Sequence, residues 1–234
     1  MVETNYYGHE VQYQLLLKEG FKGWGAEALD RRMAGHRATL ESLFLSPFFP
    51  GPGSNIKILE LGSGAGDSLM PLAEKGYQVT GLEISPTAVE WGRKKLLSLD
   101  FEAQILVGNV AEKFPFEDKS FAAVIDSACL HCIIGGDRLK ALSESYRVLR
   151  LGGFMLVSHM VNDPRELPAT AYFDSVTRTQ VLDGVSYRYM PKSETLADEI
   201  EKSGFKIVKQ LVKENSWWDH AEFWCLKNTD FITV

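Results

Sequence analysis

A carboxylate at Glu60 sits two residues ahead of Gly62-Ser63-Gly64-Ala65-Gly66, and this is the strongest chemical signal in the chain. Glycines between a strand and a helix let the main chain turn tightly and let a ligand touch it directly. A dinucleotide fingerprint would need a glycine one place further on, where this chain has Asp67. The nearby carboxylate would repel a pyrophosphate and attract an ammonium group. A second acid, Glu83, follows Gly81-Leu82; a carboxylate at a strand end there can accept both hydroxyls of a ribose. His131 stands five residues past Asp126, and an imidazole near its ordinary pKa can take a proton from oxygen, nitrogen or sulfur. Cys129 and Cys132 flank it. Soft ligands in that arrangement suit a metalloid, but a structural zinc needs a second pair and only Cys225 remains. Small side chains packed at a strand end are the plainer reading, and no metal site is expected.

These residues need a scaffold, and the hydrophobic pattern supplies one. Apolar runs at 56–61, 78–82, 103–107, 121–126, 153–158, 205–212 and 222–226 read as strands. Helical patterns lie between most of them. Ser85-Pro86 offers an N-cap and a first-turn proline for a helix to about residue 97. Asp137 can cap a helix carrying Leu139, Leu142, Tyr146 and Leu149, and the helix at 193–203 stops at Gly204. Alternation of this kind predicts an α/β fold: a doubly wound, mostly parallel seven-stranded sheet with helices on both faces and one antiparallel edge strand, because the last two strands follow each other without a helix. Residues 1–50 read as an N-terminal helical cap with one stripe of Val11, Leu15 and Leu16, closed by the proline-rich stretch Ser46 to Ser54. Residues 51–234 form the core. An insertion at 159–191 interrupts its rhythm and carries a hairpin signal at Asp183-Gly184. Hanging after a sheet strand, it should lie over the carboxyl ends of the strands, where open sheets bind ligands.

With these motifs together, the chain resembles the class I S-adenosylmethionine-dependent methyltransferases, in particular the branch that works on small molecules. Glu60 to Gly66 looks like that family's first motif and Glu83 like its ribose-binding acid, with Ile84 beside the adenine. Gly108-Asn109-Val110-Ala111, followed by Phe114-Pro115-Phe116, is similar to its Gly-Asp-Ala segment, where Asn109 can still accept from the adenine amino group. Phe121 to His131 is similar to the fourth strand and its loop, and Arg147 to Gly153 to the family's Arg-Val-Leu-Lys-Pro-Gly-Gly turn, with Leu151 in place of proline. The resemblance implies S-adenosyl-L-methionine as cofactor. It implies contacts from Glu60, Gly62, Ser63, Gly64, Gly66, Glu83, Ile84, Asn109, Val110 and Asp126. Trp24, between two glycines, could cover the sulfonium with its ring face or belong to the core of the cap. His131 would face the methyl group as a general base, although transfer from a sulfonium needs mainly alignment.

The sequence of 234 residues carries a net charge of −6 and 24% charged residues. An acidic balance argues against nucleic-acid or membrane-surface partners, which leave a basic footprint. Three cysteines fit a reducing compartment. With no apolar leader and no long apolar run, the expected setting is cytoplasmic. The expected partner is a small-molecule methyl acceptor, whether the methylated atom is O, N, C or S, and the chain should be a monomer or homodimer. A non-catalytic S-adenosylmethionine-binding regulator is the alternative, with a protein or metalloid methyltransferase behind it. An amino-directed nucleic-acid enzyme would carry a proline-proline-aromatic box where this chain has Asp126-Ser127-Ala128-Cys129. In the insertion, Arg165, Arg178, Tyr187, Arg188 and Tyr189 are pocket candidates beside His159, and Arg188 between two tyrosines suits an acidic substrate. Trp217-Trp218 reads as packing or surface.

Overall fold

The computed structural model describes residues 3–98 and 103–228, so the ends of the expected cap and core at 1–2 and 229–234 lie outside the described residues. The elements run β1 (Glu3–Thr4), α1 (Gly8–Lys18), α2 (Leu29–Phe44), β2 (Lys57–Leu61), α3 (Met70–Glu74), β3 (Gln78–Glu83), α4 (Pro86–Leu97), β4 (Ala103–Val107), β5 (Phe121–Ser127), α5 (Gly136–Val148), β6 (Leu149–Val161), β7 (Phe173–Asp174), β8 (Thr179–Leu182), β9 (Val185–Tyr189), α6 (Ser193–Lys202), β10 (Phe205–Lys213) and β11 (Asp219–Lys227).

Seven strands form the main sheet in the order β10-β11-β6-β5-β2-β3-β4. Neighbours from β4 to β6 pair in parallel. The antiparallel strand is β11, which pairs with β6 on one side and β10 on the other, so the edge pair is antiparallel and β10 is outermost. The chain winds outward from β2 to β4, then returns to β5 beside β2. The carboxyl ends of β2 and β5 therefore diverge at a topological switch point, where such sheets open a crevice.

Strands buried on both faces need two layers of cover. One face, carrying Leu59, Val124, Met155 and Phe223, packs on α5 and α6 through Leu142, Val148, Leu196 and Ile200. The other, carrying Ile58, Val79, Ile125 and Phe154, packs on α2 and α4 through Leu40, Leu43, Val89 and Leu96. The second half of the cap is thus anchored in the main core, and Phe49 from the proline-rich stretch joins the same cluster. In α1 the buried side chains are Tyr13 and Leu16, whereas Val11 and Leu15 are exposed. The expected stripe is off by part of a turn because α1 packs on the glycine turn and α4 through Tyr13, Leu16, Ala65 and Ala88.

Ser85 caps α4 as expected, accepting from the Ala88 amide at 3.0 Å with Pro86 next. Helix α5 begins two residues early, with Gly135 rather than Asp137 at its cap, and the Asp137 carboxylate instead receives the Tyr6 hydroxyl and Lys140. Asp183 and Gly184 have φ of 51° and 80°, the signature of a type I′ hairpin between β8 and β9. That hairpin belongs to a separate four-stranded sheet, β1-β9-β8-β7, in which the first strand of the chain pairs in parallel with β9.

Gly92 lies mid-helix in α4, where glycine costs about 1 kcal/mol relative to alanine. The turn explains it: a Cβ there would meet the Ala65 carbonyl carbon at 2.9 Å and the Ile105 side chain at 2.4 Å. In an open helix Gly→Ala stabilises by about 0.4–1 kcal/mol. Here Gly92→Ala should destabilise by about 1–3 kcal/mol through overpacking, read as a lower urea midpoint. A midpoint that rises would mean α4 does not press on the turn.

Candidate functional site

Glu60 lies on β2 one residue before the strand ends, 1% exposed, and neither of its carboxylate oxygens has a hydrogen-bond partner among the described residues. Burial pushes its pKa up to about 7, with the Ser68 and Ser127 hydroxyls opposing and Asp126 reinforcing the shift. A buried acceptor pair without donors is costly unless a ligand brings them. The turn that follows holds Gly62 and Gly64 at φ of 61° and 56°. A Cβ on Gly62 would strike the Cys129 side chain at 2.7 Å, and one on Gly64 would strike the Tyr13 hydroxyl at 2.3 Å. At the end of β3, Glu83 accepts the amides of Gly64 and Ser85, both at 2.9 Å, and keeps further lone pairs for a ligand.

These groups open into one cavity of about 590 Å³. Its walls include Glu60, Gly62, Ser63, Gly64, Glu83, Ile84, Asn109, Val110, Trp24 and His131, so most of the sequence-predicted residues share one space. Asn109 already accepts the Ala111 amide at 2.9 Å and donates to Glu112, which leaves one lone pair on its oxygen. Two expected contacts do not line the cavity. Asp126 is fully buried beneath it and accepts the amides of Cys129, Leu130 and Ser158 at 2.7, 3.0 and 3.3 Å. Its carboxylate, raised to about 7 by burial against those three donors, fixes the loop that carries His131. Gly66 faces the other way, where a Cβ would crowd Ile105 and approach Gly92. Its role is packing of the turn on α4.

The cap closes over the glycine turn. Glu10 on α1 accepts from the Ser85 hydroxyl (2.6 Å), the Thr87 hydroxyl (2.6 Å) and the Thr87 amide (3.1 Å), clamping α1 to the start of α4. Tyr13, Trp24 and His9 form an aromatic group, with Trp24 5.1 Å from the Tyr13 ring and 5.6 Å from the His9 ring. The His9 pKa is pushed up to about 9, chiefly by a hydrogen bond with Cys132, against the opposing effect of burial. Cys132 is therefore an imidazole partner and Cys129 a packing partner of Gly62. Among the described residues no group of three or more His, Cys, Asp and Glu side chains is placed to hold a metal ion.

His131 sits in a short 3₁₀ turn after β5, buried, with Nδ1 unpartnered. Burial, then Arg188, His159, His220 and Arg32, hold its pKa well below the usual histidine value, so its ring is neutral. Sequence reasoning missed the side chains around it. His36 and Arg32 share a face of α2 with Met33, and Ser158 on β6 bonds His220 on β11 at 2.7 Å. A helical spacing of three to four residues at 32, 33 and 36 was a usable signal; His220 had none, because β11 begins three residues before its apolar run. Of the insertion candidates, Arg188 lines the cavity and His159 is buried behind it. Arg165 pairs with Asp219, Arg178 pairs with Asp163, and Tyr189 lies under the Arg138 guanidinium. Trp218 lines the cavity rather than the surface.

Comparisons with known proteins agree with this geometry. Residues 59–157 match the family described as a methyltransferase domain. The chain is 32% identical to the ubiquinone/menaquinone biosynthesis C-methyltransferase UbiE of Proteus mirabilis, over 68% of this chain and 69% of that protein. It is 33% identical to the same enzyme from Haemophilus ducreyi, and the match spans 65% of either protein's length. A solved S-adenosylmethionine-dependent methyltransferase from Methanosarcina mazei shares the fold with a TM-score of 0.64 at 20% identity, over 81% of this chain and 97% of that one.

If Glu60 receives a cationic ammonium, it must be ionised to do so. Cofactor affinity should then rise with pH by up to about tenfold per unit as the carboxyl titrates, and level off above its pKa of about 7. The cofactor-free protein should show the opposite trend in stability. A carboxyl whose folded pKa is raised stabilises fully below its ordinary value of 4.5, and that contribution is lost as pH rises through about 7. Glu60→Gln should flatten both profiles, measured by calorimetric titration and by thermal unfolding between about pH 5 and about pH 8. An unchanged pH dependence of affinity in the variant would remove Glu60 as the ammonium partner.

Proposed function

Since the chain belongs to the class I S-adenosylmethionine-dependent methyltransferases, whose cofactor is S-adenosylmethionine, we propose that it methylates a small-molecule acceptor held beside His131. The observation that carries this reading is the single cavity that joins the Glu60–Glu83 half to a second half walled by α2, the His131 loop, β6 and β11. The bound cofactor supplies an electrophilic methyl group on a sulfonium. Glu60 receives the ammonium, the Gly62 and Gly64 backbone accepts close approach, and Glu83 takes the ribose hydroxyls. Ile84, Asn109 and Val110 flank the base. Trp24 and Tyr13, over the glycine turn, shield this half from water.

The acceptor half has Met33, Leu156, Met160 and Trp218 among its apolar walls and His36, Ser127, Ser158 and His220 as its hydrogen-bonding groups. Such a pocket holds a compact molecule and aligns its nucleophile with the methyl group, which is the main requirement of the transfer. His131 offers an unprotonated ring nitrogen. With cations around it and no carboxylate among its strongest neighbours, the imidazolium is disfavoured. Its role is to accept a hydrogen bond from the nucleophile's O–H or N–H and orient the lone pair, rather than to store the proton. The curated relatives are named for methyl transfer to carbon in quinone biosynthesis, and an acceptor with an apolar ring fits the same walls.

The test is methyl transfer from labelled S-adenosylmethionine into a cell extract separated into metabolites, protein and nucleic acid. Label should enter one low-mass product, and His131→Phe should lower kcat for it by about ten- to a hundredfold with cofactor affinity unchanged. Label confined to protein or nucleic acid would refute the small-molecule reading. Cofactor binding without any turnover would favour a regulatory binder.

A further inference from the structure

Besides His9, three cationic side chains line the cavity, and two of these three have no acidic partner among the described residues. Lys213 bonds Glu222 at 3.1 Å, and Glu222 is also held by the Thr39 hydroxyl. Arg32 on α2 and Arg188 on β9 make no ion pair and no hydrogen bond among the described residues, although both face the cavity. They lie close enough to repel each other: desolvation lowers the Arg32 pKa and Arg188 adds to that shift. Arg188 is also the strongest charged influence on His131 after burial, and Arg32 acts there in the same sense. The acids of the cavity do not answer this charge. Asp67 pairs with Lys95 at 2.8 Å. The strongest neighbours of Glu60 and Glu83 are Ser68, Ser127, Asp126, Asp67, His9 and nearby backbone amides. Glu60 and Glu83 thus have neighbours of their own, and neither arginine is among them: Arg188 acts most strongly on His131, and Arg32 lies beside Tyr13 and Gly25 on the wall of the same cavity.

Two guanidiniums that line one cavity without a counter-ion suit a planar, multiply accepting anion. The stem of Arg32 passes directly over Gly25, where a Cβ would meet its Cδ at 2.7 Å. Arg188 is set by the hairpin, whose strand β9 is flanked by β1 and β8. Resting on the methyltransferase reading above, we infer that the acceptor is an anion, a carboxylate or phosphate ester on an apolar body, bound between Arg32 and Arg188. One arginine belongs to the helical cap and the other to the insertion, so the anion bridges the two segments that roof the cavity. Its charge also offsets Arg188, the strongest charged influence on His131.

The experiment uses the full chain saturated with S-adenosylhomocysteine and three probes of one shape: benzoate, phenyl phosphate and the neutral benzamide, titrated by calorimetry. At least one anion should bind about tenfold or more tightly than benzamide, as for hydrogen bonds between charged groups, and the stronger of the two identifies carboxylate or phosphate as the group recognised. Arg32→Gln and Arg188→Gln should each remove most of that preference, with S-adenosylhomocysteine affinity within about threefold of the parent. Equal or absent binding of both anions relative to benzamide overturns the inference, as does a preference that survives in the double variant. A loss of S-adenosylhomocysteine affinity in the variants also overturns it, because the arginines would then serve the cofactor's own carboxylate. Failure of the methyltransferase reading shows separately, as absent label transfer with the anion preference intact.

Discussion

One carboxylate joins the two turns on which the site is built. Glu83 accepts the Gly64 amide with one oxygen and the Ser85 amide with the other. It thereby ties the glycine turn after β2 to the start of α4 after β3. Charged acceptors on backbone amides make some of the stronger hydrogen bonds in a protein. The tie also keeps a buried, ionisable group at a strand end, where a polar ligand can share it. Ser85 is caught between Glu83, Glu10 and the amide it caps, so α1 is registered on the same point. A change at Glu83 would loosen the turn, the helix and the cap together.

This arrangement concentrates acids on one side. Glu60, Glu83 and Asp126 end three neighbouring strands, all nearly or fully buried, and none forms a salt bridge among the described residues. Backbone amides answer Asp126 and Glu83, while Glu60 has only the Ser68 and Ser127 hydroxyls nearby and no amide or cation among the described residues. Burial of a lone carboxylate is tolerated by raising its pKa, and it becomes favourable when a cation arrives. Across the cavity the sign reverses, with Arg32, Arg188 and a neutral His131. The cavity is therefore polarised, acidic where the cofactor's ammonium sits in our reading and cationic where the acceptor sits. These fixed charges, rather than solvent alone, would set the local potential around a bound cofactor, whose sulfonium would supply the methyl group.

Much of this was legible in the sequence because it depends on local rules. Alternating apolar runs and turn chemistry placed all seven strands of the main sheet, the Ser85 cap and the hairpin at Asp183-Gly184, and the Glu60 and Glu83 spacing pointed to one ligand. What failed depends on tertiary contacts. An acid at a strand end reads the same whether it meets a ligand, as Glu83 can, or holds a loop, as Asp126 does with three amides. Gly66 matches its motif but serves helix packing. The stripe of α1 was misjudged because the face that packs is decided by the glycine turn, where a Tyr hydroxyl rather than an aliphatic group fits. His220 escaped because β11 opens on two polar residues, Asp219 bonded to Asn162 and Arg165 and His220 facing the cavity, which hides the strand's true start.

The insertion acquires its meaning from the first strand of the chain. β9 pairs with β1 in parallel through Glu3–Val185 and Thr4–Ser186, so the cap and the insertion are stitched together at a point far apart in sequence. The base of the insertion is held more firmly. Tyr189 stacks under Arg138 at 3.7 Å and bonds Glu199, which itself receives two bonds from Arg138. The Asn162 amide is received by the Pro191 carbonyl at 2.8 Å. A two-residue strand pair is marginal by itself, whereas a buried cation–π and bidentate ion pair is not. The insertion is thus held firmly at its base and lightly fastened at its tip, and the light fastening is on β9, the strand that carries Arg188. Opening there would expose the acceptor half without disturbing Glu83 or the glycine turn, so in our reading the acceptor can enter and leave while the fold that holds the cofactor stays closed.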